Sequence, residues 1–426
     1  MKSVVLIHPP HYDSTEDRLD APLGLLYIAS FLESNDVSVK ICDLSGVPKK
    51  EWEIPEADIY GITTYISSLE TVKELINFCR TVNSKSLVVC GGAHPSCDAE
   101  SVFDIGADVV VRGPGEHPML QLIAEYPNHK KLYDGSLEYN LNKYPNPDYS
   151  LVDVQSYKRK INNEKSITML TSRGCIFKCV PCSLSKVTNK VHFRSPHAVA
   201  SEILFIKKHY GIHSFNFQDD MFCLNRARLY DLCDYFKFLN ISFRAHGRSG
   251  YDVKEDYKRL KEAGCSVLAF GIESGSQYIL DRMNKQTTVE NNYKVIQWAK
   301  EYGIETRAFF IFGFPGETEK TIEETKRFIE KADPDQYFVS NFIPYPQTDC
   351  YCNPEKYGIT KMNTDYNNYI QVKKDGEGGV VFATEWLSME EFKVLEKDFR
   401  EWLSNRKQRG CIQDYEIEME EKQIAN

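Results

Sequence analysis

Short apolar runs alternate with amphipathic segments along the first 140 residues of the chain. Val4–His8 and Val109–Arg112 have the length and β-branched content of buried strands, and Leu69–Asn83 repeats its apolar residues at helical spacing. Strands that alternate with helices form a parallel sheet with helices on both faces, so residues 1–140 are predicted to be one Rossmann-like α/β domain. Further strands are predicted at Val37–Asp43, Ile59–Tyr65 and Ser86–Gly91, and a further helix at Gly24–Asn35.

A second alternating stretch follows residues 141–165, whose Pro- and Asn-rich composition predicts a linker. Between residues 166 and 363, six strand-like runs alternate with five helical segments. Six parallel strands make three quarters of an eight-stranded barrel, so we expect a partial (β/α)6 TIM barrel with its site at the carboxyl ends of the strands. The strands are predicted at residues 166–172, 214–219, 242–246, 266–274, 305–313 and 336–343, with helices near 197–210, 225–239, 254–263, 290–302 and 319–331.

The last stretch, residues 364–426, contains an amphipathic segment at Ser388–Arg406 and then an acidic end. The helical spacing of its apolar residues predicts one helix. We interpret the stretch as a small C-terminal helical cap.

Charge, apolar run length and cysteine spacing indicate which partners and which cellular compartment to expect. A net charge of −9 without a basic stripe argues against nucleic acid as a partner. No run approaches the roughly 18–20 apolar residues of a transmembrane helix, and the apolar start is too short for a signal peptide, so no membrane span is expected. Thirteen cysteines at irregular spacing do not resemble a disulfide framework, which favours a reducing compartment and predicts a cytoplasmic protein.

Three of the cysteines lie within eight residues, directly after the first predicted barrel strand. Cys175, Cys179 and Cys182 could hold three irons of a 4Fe–4S cube and leave the fourth iron open for chemistry. A closed zinc site would need a fourth ligand, for which His192 is a candidate, and chance clustering is the other alternative. Polar segments at the other barrel strand ends favour the cube.

Glycine-containing segments also follow the predicted strands of the first domain, at Gly91-Gly92 and Gly113-Pro114-Gly115. Glycine at a strand end lets the backbone approach a large flat ligand, although plain turns use the same residue. No G-x-G-x-x-G sequence follows the first strand, so a dinucleotide is not expected.

The spacing Cys175-x3-Cys179-x2-Cys182 resembles the signature of the radical S-adenosylmethionine (radical SAM) enzymes. The resemblance implies that the cysteines bind a 4Fe–4S cluster and that S-adenosylmethionine chelates its open iron. One electron, from a reductant such as flavodoxin or ferredoxin, would then cleave the cofactor to methionine and a 5′-deoxyadenosyl radical. The protein would bind and orient the cofactors and exclude water.

Other segments resemble the S-adenosylmethionine-binding motifs of that family, in order along the barrel. Asp219 or Asp220 would bind the methionine amino group, unless the pair caps a helix. Arg248 would meet the cofactor carboxylate or the substrate, unless it forms a solvated ion pair. Glu273 resembles the carboxylate that faces the ribose. The loop after the fifth strand would pack beside adenine and methionine through Gly313, Pro315 and Gly316.

The first domain carries a second resemblance. Residues 22–29, 88–95 and 111–116 resemble the cobalamin-binding domain that precedes the barrel in one group of radical SAM enzymes. The D-x-H-x-x-G sequence that supplies a histidine to cobalt in other cobalamin proteins is absent, so the lower corrin face would lie against strand ends. His8 and His94 are interpreted as wall residues rather than cobalt ligands. The residues implied for cobalamin binding are Thr63, Thr64, Ser67, Gly91, Gly92, His94, Gly113 and Glu116.

Together the two resemblances predict a cobalamin-dependent radical SAM methyltransferase that acts on an unactivated centre of a small biosynthetic substrate. The first alternative is a radical cyclisation or rearrangement without methyl transfer. That reaction would not require bound cobalamin. A cluster-bearing sensor or binding module is the non-enzyme alternative. The sequence identifies neither the substrate nor a catalytic side chain. Cys350 and Cys352 follow the sixth barrel strand, and we interpret them as incidental rather than as ligands of a second cluster.

Overall fold

The computed structural model describes residues 2–12, 14, 16–136, 139–184, 188, 190–370, 379–406 and 408–409. The chain divides into two compact units. The first comprises residues 1–158, 186–190 and 365–369, and the second comprises residues 159–185, 191–364 and 370–426. This division differs from the predicted bounds in two places. Residues 141–158 of the expected linker and residues 365–369 of the expected cap both belong to the first unit.

The first unit is built on a six-stranded sheet. Its strands are β1 (Val4–His8), β2 (Val39–Asp43), β3 (Ile59–Thr63), β4 (Leu87–Gly91), β5 (Val109–Arg112) and β6 (Leu132–Asp134). They run in the order β2-β1-β3-β4-β5-β6, and every pairing is parallel. The strand order reverses between β1 and β3, which is the kind of switch point where wound sheets bind ligands. Strand β6 was not predicted.

Apolar side chains cover both faces of this sheet. Val5 and Ile7 pack in one cluster with the second helix, whereas Val4 and Leu6 pack in another with the first helix. Burial of both faces is what a parallel sheet with flanking helices requires, and it confirms the predicted Rossmann-like architecture. The helices are α1 (Leu23–Glu33), α2 (Leu69–Val82), α3 (Ala93–Cys97), α4 (Glu100–Asp104) and α5 (Glu116–Glu125).

The second unit contains the six parallel strands predicted for a partial barrel. Its strands are β7 (Lys160–Ile161), β8 (Glu164–Met169), β9 (Ser172–Arg173), β10 (His192–Phe193), β11 (Ser214–Phe217), β12 (Ser242–Gly247), β13 (Cys265–Glu273), β14 (Glu305–Phe312) and β15 (Gln336–Asn341). The main sheet has the order β15-β14-β13-β12-β11-β8-β7, and its first six strands are parallel. Strand β7, which was not predicted, pairs antiparallel with β8 at the edge, and β9 pairs with β10 outside the main sheet.

Helices alternate with these strands as the sequence predicts. The helix after β10 begins at Pro196, where Ser195 caps the N-terminus, and it ends at Gly211 in the left-handed conformation. No helix in the described part of the chain is long and apolar enough to cross a membrane. The helices are α6 (Pro196–Tyr210), α7 (Arg226–Leu239), α8 (Lys254–Glu262), α9 (Gln277–Arg282), α10 (Val289–Glu301), α11 (Glu319–Ala332) and α12 (Asp349–Cys352).

The C-terminal stretch adds a two-stranded sheet and one long helix to the second unit. The strands are β16 (Ile359–Met362) and β17 (Phe382–Thr384), and the helix is α13 (Met389–Ser404). Helix α13 packs on the end of β14, where the rings of Phe399 and Phe312 are 5.6 Å apart. The predicted helix is therefore present, whereas the acidic end from residue 410 lies outside the described residues.

Candidate functional site

The three clustered cysteines lie in an irregular loop directly after β9. Cys175, Cys179 and Cys182 are half-buried, and none forms a disulfide. The Cys182 N–H donates to the Cys179 carbonyl at 3.2 Å, which turns the chain between them. Burial raises the pKa of the Cys175 thiol, while the Phe177 N–H and the charge of Arg248 oppose that rise. The same arginine contacts Cys179, so the two thiols are neighbours.

The alternative of a zinc site gains no support. Among the residues that the structure describes, no group of three or more His, Cys, Asp or Glu side chains is arranged to hold a metal ion. His192 pairs within β10 opposite Arg173 of β9. A 4Fe–4S cube places each thiolate on a different iron and so keeps its ligands farther apart than one ion does. Three cysteines without a disulfide, in one loop beside an arginine, are a donor set that suits the cube.

Arg248 lies against this loop. Both of its terminal nitrogens are 3.7 Å from Cys179 Sγ, and its guanidinium carbon is 3.7 Å from the centroid of the Phe177 ring. It also donates to the Lys285 carbonyl. The cation–π contact and the hydrogen bond hold the guanidinium in place. The result is a positive charge beside the cysteine thiols, at a position where the resemblance implied contact with the cofactor carboxylate or the substrate.

The adjacent acids after β11 have different surroundings. Asp219 is fully buried, and its carboxylate accepts hydrogen bonds from the Thr171 N–H at 2.7 Å, the Ser172 hydroxyl at 2.6 Å and the Thr171 hydroxyl. Asp220 is exposed, and one of its oxygens accepts from the Gly174 N–H at 2.9 Å. Asp219 thus ties β11 to the segment before the cysteines, whereas the Asp220 carboxylate contacts Gly174 at the start of the cysteine loop. Burial raises the pKa of Asp220, and the Gly174 N–H opposes that rise.

Glu273 ends β13 at a bulge, with a φ of 65° in the left-handed region. Its carboxylate pairs with Lys285 Nζ at 2.5 Å, and both side chains are largely shielded from solvent. A Cβ on Gly271 would lie 2.4 Å from Glu273 Oε1 and 2.9 Å from Lys285 Nζ. The absence of a side chain at Gly271 therefore provides the space that the ion pair between Glu273 and Lys285 occupies.

The loop after β14 is buried and held by its own contacts. A Cβ on Gly316, whose φ is 100°, would lie 2.6 Å from Arg282 Nε, and that nitrogen donates to the Pro315 carbonyl at 2.9 Å. The Gly313 N–H donates to the Glu317 carboxylate at 2.5 Å. Burial raises the pKa of Glu317 to about 8. The three residues predicted at the cofactor therefore sit in a loop with one packed conformation.

Hydrogen bonds join the strand ends of the first unit into one edge. The Thr64 N–H donates to the Gly91 carbonyl at 2.8 Å, and the His94 N–H donates to the Thr64 carbonyl at 3.3 Å. The Gly113 N–H donates to the Ser96 hydroxyl at 2.9 Å. The predicted cobalamin residues that the structure brings to this edge are Thr63, Thr64, Ser67, Gly91, Gly92 and Gly113.

Two other predicted cobalamin residues are shielded inside the unit. His94 is 4% exposed, and its Nε2 lies 2.8 Å from the Ser101 hydroxyl oxygen. Burial lowers the pKa of His94 to about 4, and its ring contacts that of Tyr366. Glu116 is 2% exposed at the start of α5. His94 has the surroundings expected of a wall residue, and neither side chain is accessible to a ligand at the edge.

Two arginines and a histidine form a row on the sheet of the second unit; the sequence made Arg307 a candidate without a stated role and gave Arg244 and His246 none. Phe243 packs on Phe236 of α7 with the rings 5.2 Å apart, so Arg244 and His246 lie on the sheet face opposite α7. Arg307 and His246 both neighbour Ala269 across β13. Burial and the adjacent arginines lower the pKa of His246 to about 3. Lys285 was missed too, because its pairing with Glu273 depends on a loop that only the fold brings to β13.

Two family models match the chain. The one described as the radical SAM superfamily matches residues 169–329, which include the cysteine loop and the strands β11 to β14. The one described as the B12 binding domain matches residues 21–123, from α1 into α5. The two models fall on the two compact units in the order that the sequence predicts.

Curated relatives and solved structures give the same picture. An uncharacterized methyltransferase of Pyrococcus horikoshii is 31% identical over 358 residues, which cover 77% of this chain and 77% of the relative. An anaerobic magnesium-protoporphyrin IX monomethyl ester cyclase of Rubrivivax gelatinosus is 25% identical over 384 residues, 82% of this chain and 69% of the relative. The radical SAM methyltransferase TsrM of Kitasatospora setae, solved with cobalamin and a 4Fe–4S cluster, superimposes with a TM-score of 0.73 and 16% identity over 94% of this chain and 89% of that chain. At that identity the superposition shows a shared fold.

Proposed function

The chain belongs to the radical SAM enzymes that carry a cobalamin-binding domain, and on this premise we propose that it transfers a methyl group to an unactivated centre of a small molecule. Membership makes it an enzyme whose cofactors are a 4Fe–4S cluster, S-adenosylmethionine and cobalamin, as the sequence predicts. It also sets aside the alternative of a sensor or binding module. The methyltransferase relative supports methyl transfer as the outcome of the radical chemistry.

The second unit would hold the cluster and S-adenosylmethionine. When bound, the cluster and S-adenosylmethionine supply a radical that activates the substrate, and cobalamin supplies a carrier for the methyl group. Cys175, Cys179 and Cys182 would each bind one iron, and Arg248 would offset their negative charge.

Asp220 is the better candidate for the amino group of S-adenosylmethionine. Asp220 is an exposed residue, and its carboxylate accepts a hydrogen bond from the N–H of Gly174, the residue before the first cluster cysteine. An ionised carboxylate matches an ammonium group in charge and in hydrogen bonding. Asp219 has its oxygens occupied by Thr171 and Ser172, so a structural role suits it better.

The carboxyl edge of the first unit would hold the corrin. Ser67 and Gly92 are exposed there, and Gly91 is half-buried, so small residues leave this edge open to a flat ligand. A Cβ on Gly92, whose φ is 115°, would lie 3.1 Å from the Thr64 carbonyl oxygen. The edge therefore requires glycine at the turn that would lie beneath the ligand.

One observation carries the proposal: three half-buried cysteines that form no disulfide lie in one loop beside Arg248, in a chain whose other unit presents an open glycine edge. The test is product analysis of S-adenosylmethionine turnover by anaerobically reconstituted protein with cobalamin and dithionite. Methyl transfer leaves S-adenosylhomocysteine, whereas reductive cleavage leaves methionine and 5′-deoxyadenosine. We expect both sets of products. Absence of S-adenosylhomocysteine would contradict methyl transfer, and absence of both would contradict the whole proposal.

A cyclisation or rearrangement without methyl transfer is the second candidate. The cyclase relative, which matches 82% of this chain, favours it. Mass spectrometry of the product distinguishes the candidates, because methylation adds one carbon to the substrate and ring formation does not.

We also propose that a small electron-transfer protein such as flavodoxin or ferredoxin delivers the electron, and that the enzyme works in the cytoplasm. None of the twelve described cysteines forms a disulfide, which suits a reducing compartment. The sequence has no basic stripe of the kind that binds nucleic acid, so we do not propose a nucleic-acid substrate.

A further inference from the structure

A short segment between α9 and α10, Met283–Lys285, contacts three separate parts of the proposed cofactor site. We call it the clasp. It follows α9 directly, and Asn284 has a φ of 50°, a left-handed conformation that asparagine tolerates better than most residues. The Lys285 N–H donates to the Leu280 carbonyl at 3.0 Å, which anchors the clasp to its helix. No motif or composition signal pointed to it.

The first contact is with the cysteine loop. The Val180 N–H donates to the Met283 carbonyl at 2.8 Å, and Asn284 Nδ2 donates to the Lys178 carbonyl at 2.9 Å. Lys178 and Val180 flank Cys179 on both sides. The clasp therefore restrains the backbone of a loop that has no regular secondary structure of its own.

The second contact is with Arg248. The Lys285 carbonyl accepts a hydrogen bond from Arg248, the residue whose guanidinium lies 3.7 Å from Cys179 Sγ. Two residues farther along, the Thr287 hydroxyl lies 2.9 Å from that of Ser249, the neighbour of Arg248. The loop after β12 is thus tied to the same segment as the cysteine loop.

The third contact is with the end of β13. Lys285 Nζ pairs with Glu273, whose carboxylate resembles the one that faces the ribose of S-adenosylmethionine in the family. Glu273 has a left-handed φ that a non-glycine residue adopts only when its surroundings hold it there. Lys285 is buried, with 8% of its surface exposed, so its charge acts on Glu273 with little screening by solvent.

We propose that the clasp is a positioning element that sets the cysteine loop and Glu273 at a fixed spacing. The cluster and the nucleoside end of S-adenosylmethionine would then be held at that spacing when both are bound. This inference rests on the proposed function for the identity of the ligands. Asn284 positions the cluster side through the Lys178 carbonyl, and Lys285 positions the nucleoside side through Glu273. Neither residue touches the reacting atoms in this account.

The Lys285 half of the proposal is tested by the affinity for S-adenosylmethionine in anaerobically reconstituted protein. Lys285→Met keeps the alkyl stem but removes the charge, and we expect Kd to rise about tenfold with iron content unchanged. Lys285→Arg should recover most of the affinity because it keeps the charge. Lys294→Met is the matched control, since Lys294 forms an exposed ion pair with Glu290 at 3.8 Å, and its Kd should equal that of wild type.

The Asn284 half is tested by the retention of iron. Asn284→Gly preserves the left-handed backbone and removes only the amide that reaches Lys178. We expect iron release to a chelator to accelerate several-fold, and the change in the electron paramagnetic resonance spectrum on adding S-adenosylmethionine to weaken. The midpoint of thermal unfolding should stay close to that of wild type, which separates loss of positioning from loss of folding.

Wild-type values of Kd in Lys285→Met, or of iron release in Asn284→Gly, would overturn the corresponding half. A Lys285→Arg variant as weak as Lys285→Met would also contradict it. These readouts need no methyl transfer. A chain that binds the cluster and S-adenosylmethionine but forms no S-adenosylhomocysteine would therefore contradict the methyltransferase proposal and leave the clasp proposal unaffected. A wild-type chain that binds no iron would contradict both the methyltransferase proposal and the clasp proposal.

Discussion

At the scale of single residues, Asp219 and Asp220 show how the fold places adjacent, chemically identical groups in different surroundings. The β11 strand ends at Phe217, and beyond it the chain turns Asp219 inward to Thr171 and Ser172 while Asp220 remains exposed. Burial raises the pKa of Asp219, and its hydroxyl and N–H partners oppose that rise. The two acids should therefore respond differently to the same substitution.

We expect Asp219→Ala to destabilise the protein, because it leaves buried hydroxyl and N–H donors without an acceptor. The loss should be about 3 kcal/mol in the free energy of unfolding, measured by urea denaturation of the apo protein. Asp220→Ala should change that free energy by no more than about 0.5 kcal/mol but weaken S-adenosylmethionine binding about tenfold. If Asp219→Ala instead weakened S-adenosylmethionine binding and Asp220→Ala lowered the unfolding free energy, the amino group would be assigned to Asp219.

Glu317 gives a pH-dependent prediction. Its pKa is raised from 4.5 in the unfolded chain to about 8 by burial, so between these values the folded state holds a proton that the unfolded state has lost. Its contribution to stability is complete below pH 4.5 and is lost as the pH rises through 8, by about 5 kcal/mol in all.

The substitution Glu317→Gln should remove this dependence. The variant should gain stability relative to wild type between pH 6 and pH 8.5, measured as the difference in urea unfolding free energy at each pH. Parallel stability curves for the two proteins would show that Glu317 does not titrate in this range.

At the scale of elements, the turn between β4 and α3 places the glycine edge of the first unit. Gly92 has a left-handed φ, and the Thr64 backbone lies where a side chain would begin, so only glycine fits without strain. The turn also brings the end of β4 against the end of β3 through the bond from Thr64 to Gly91.

Gly92→Ala should therefore weaken cobalamin binding. We expect a reduction of about tenfold in affinity, measured by titration of apo protein with hydroxocobalamin, because the turn must shift away from Thr64. Gly24→Ala is the matched control: that glycine lies in α1 with open space around its Cα, so alanine should leave affinity unchanged and favour the helix. Equal affinities in the two variants would place the corrin elsewhere.

At the scale of the whole molecule, the structure bears on whether the chain holds one cluster or two. Cys350 is buried in the short helix α12, where burial raises the pKa of its thiol, and Cys352 is exposed. No additional described His, Cys, Asp or Glu group is arranged with them to hold a metal ion.

The double variant Cys350→Ala with Cys352→Ala should retain the iron and sulfide content of one cube per chain after anaerobic reconstitution. The triple variant of Cys175, Cys179 and Cys182 to Ala is the control and should bind no cluster. A fall to half the iron content in the double variant would reveal a second cluster.

Most strands of both wound units, two helices of the first unit and five of the second could be predicted from the sequence, because buried parallel strands are continuous apolar runs and their helices carry a periodic apolar face. Helices α3, α4 and α5 of the first unit were not predicted. The spacing of Cys175, Cys179 and Cys182 was equally accessible, since ligands within one loop are local in the chain. What local sequence could not supply was β6 and β7, whose short runs carry too few apolar residues to stand out.

The surroundings of the predicted site residues came from the tertiary structure alone. The burial of His94 and Glu116, the different surroundings of Asp219 and Asp220, and the pairing of Lys285 with Glu273 all depend on neighbours distant in sequence. The physical reason is that exposure and electrostatic partners belong to packed surfaces, whereas strand propensity and ligand spacing within a loop belong to the chain itself.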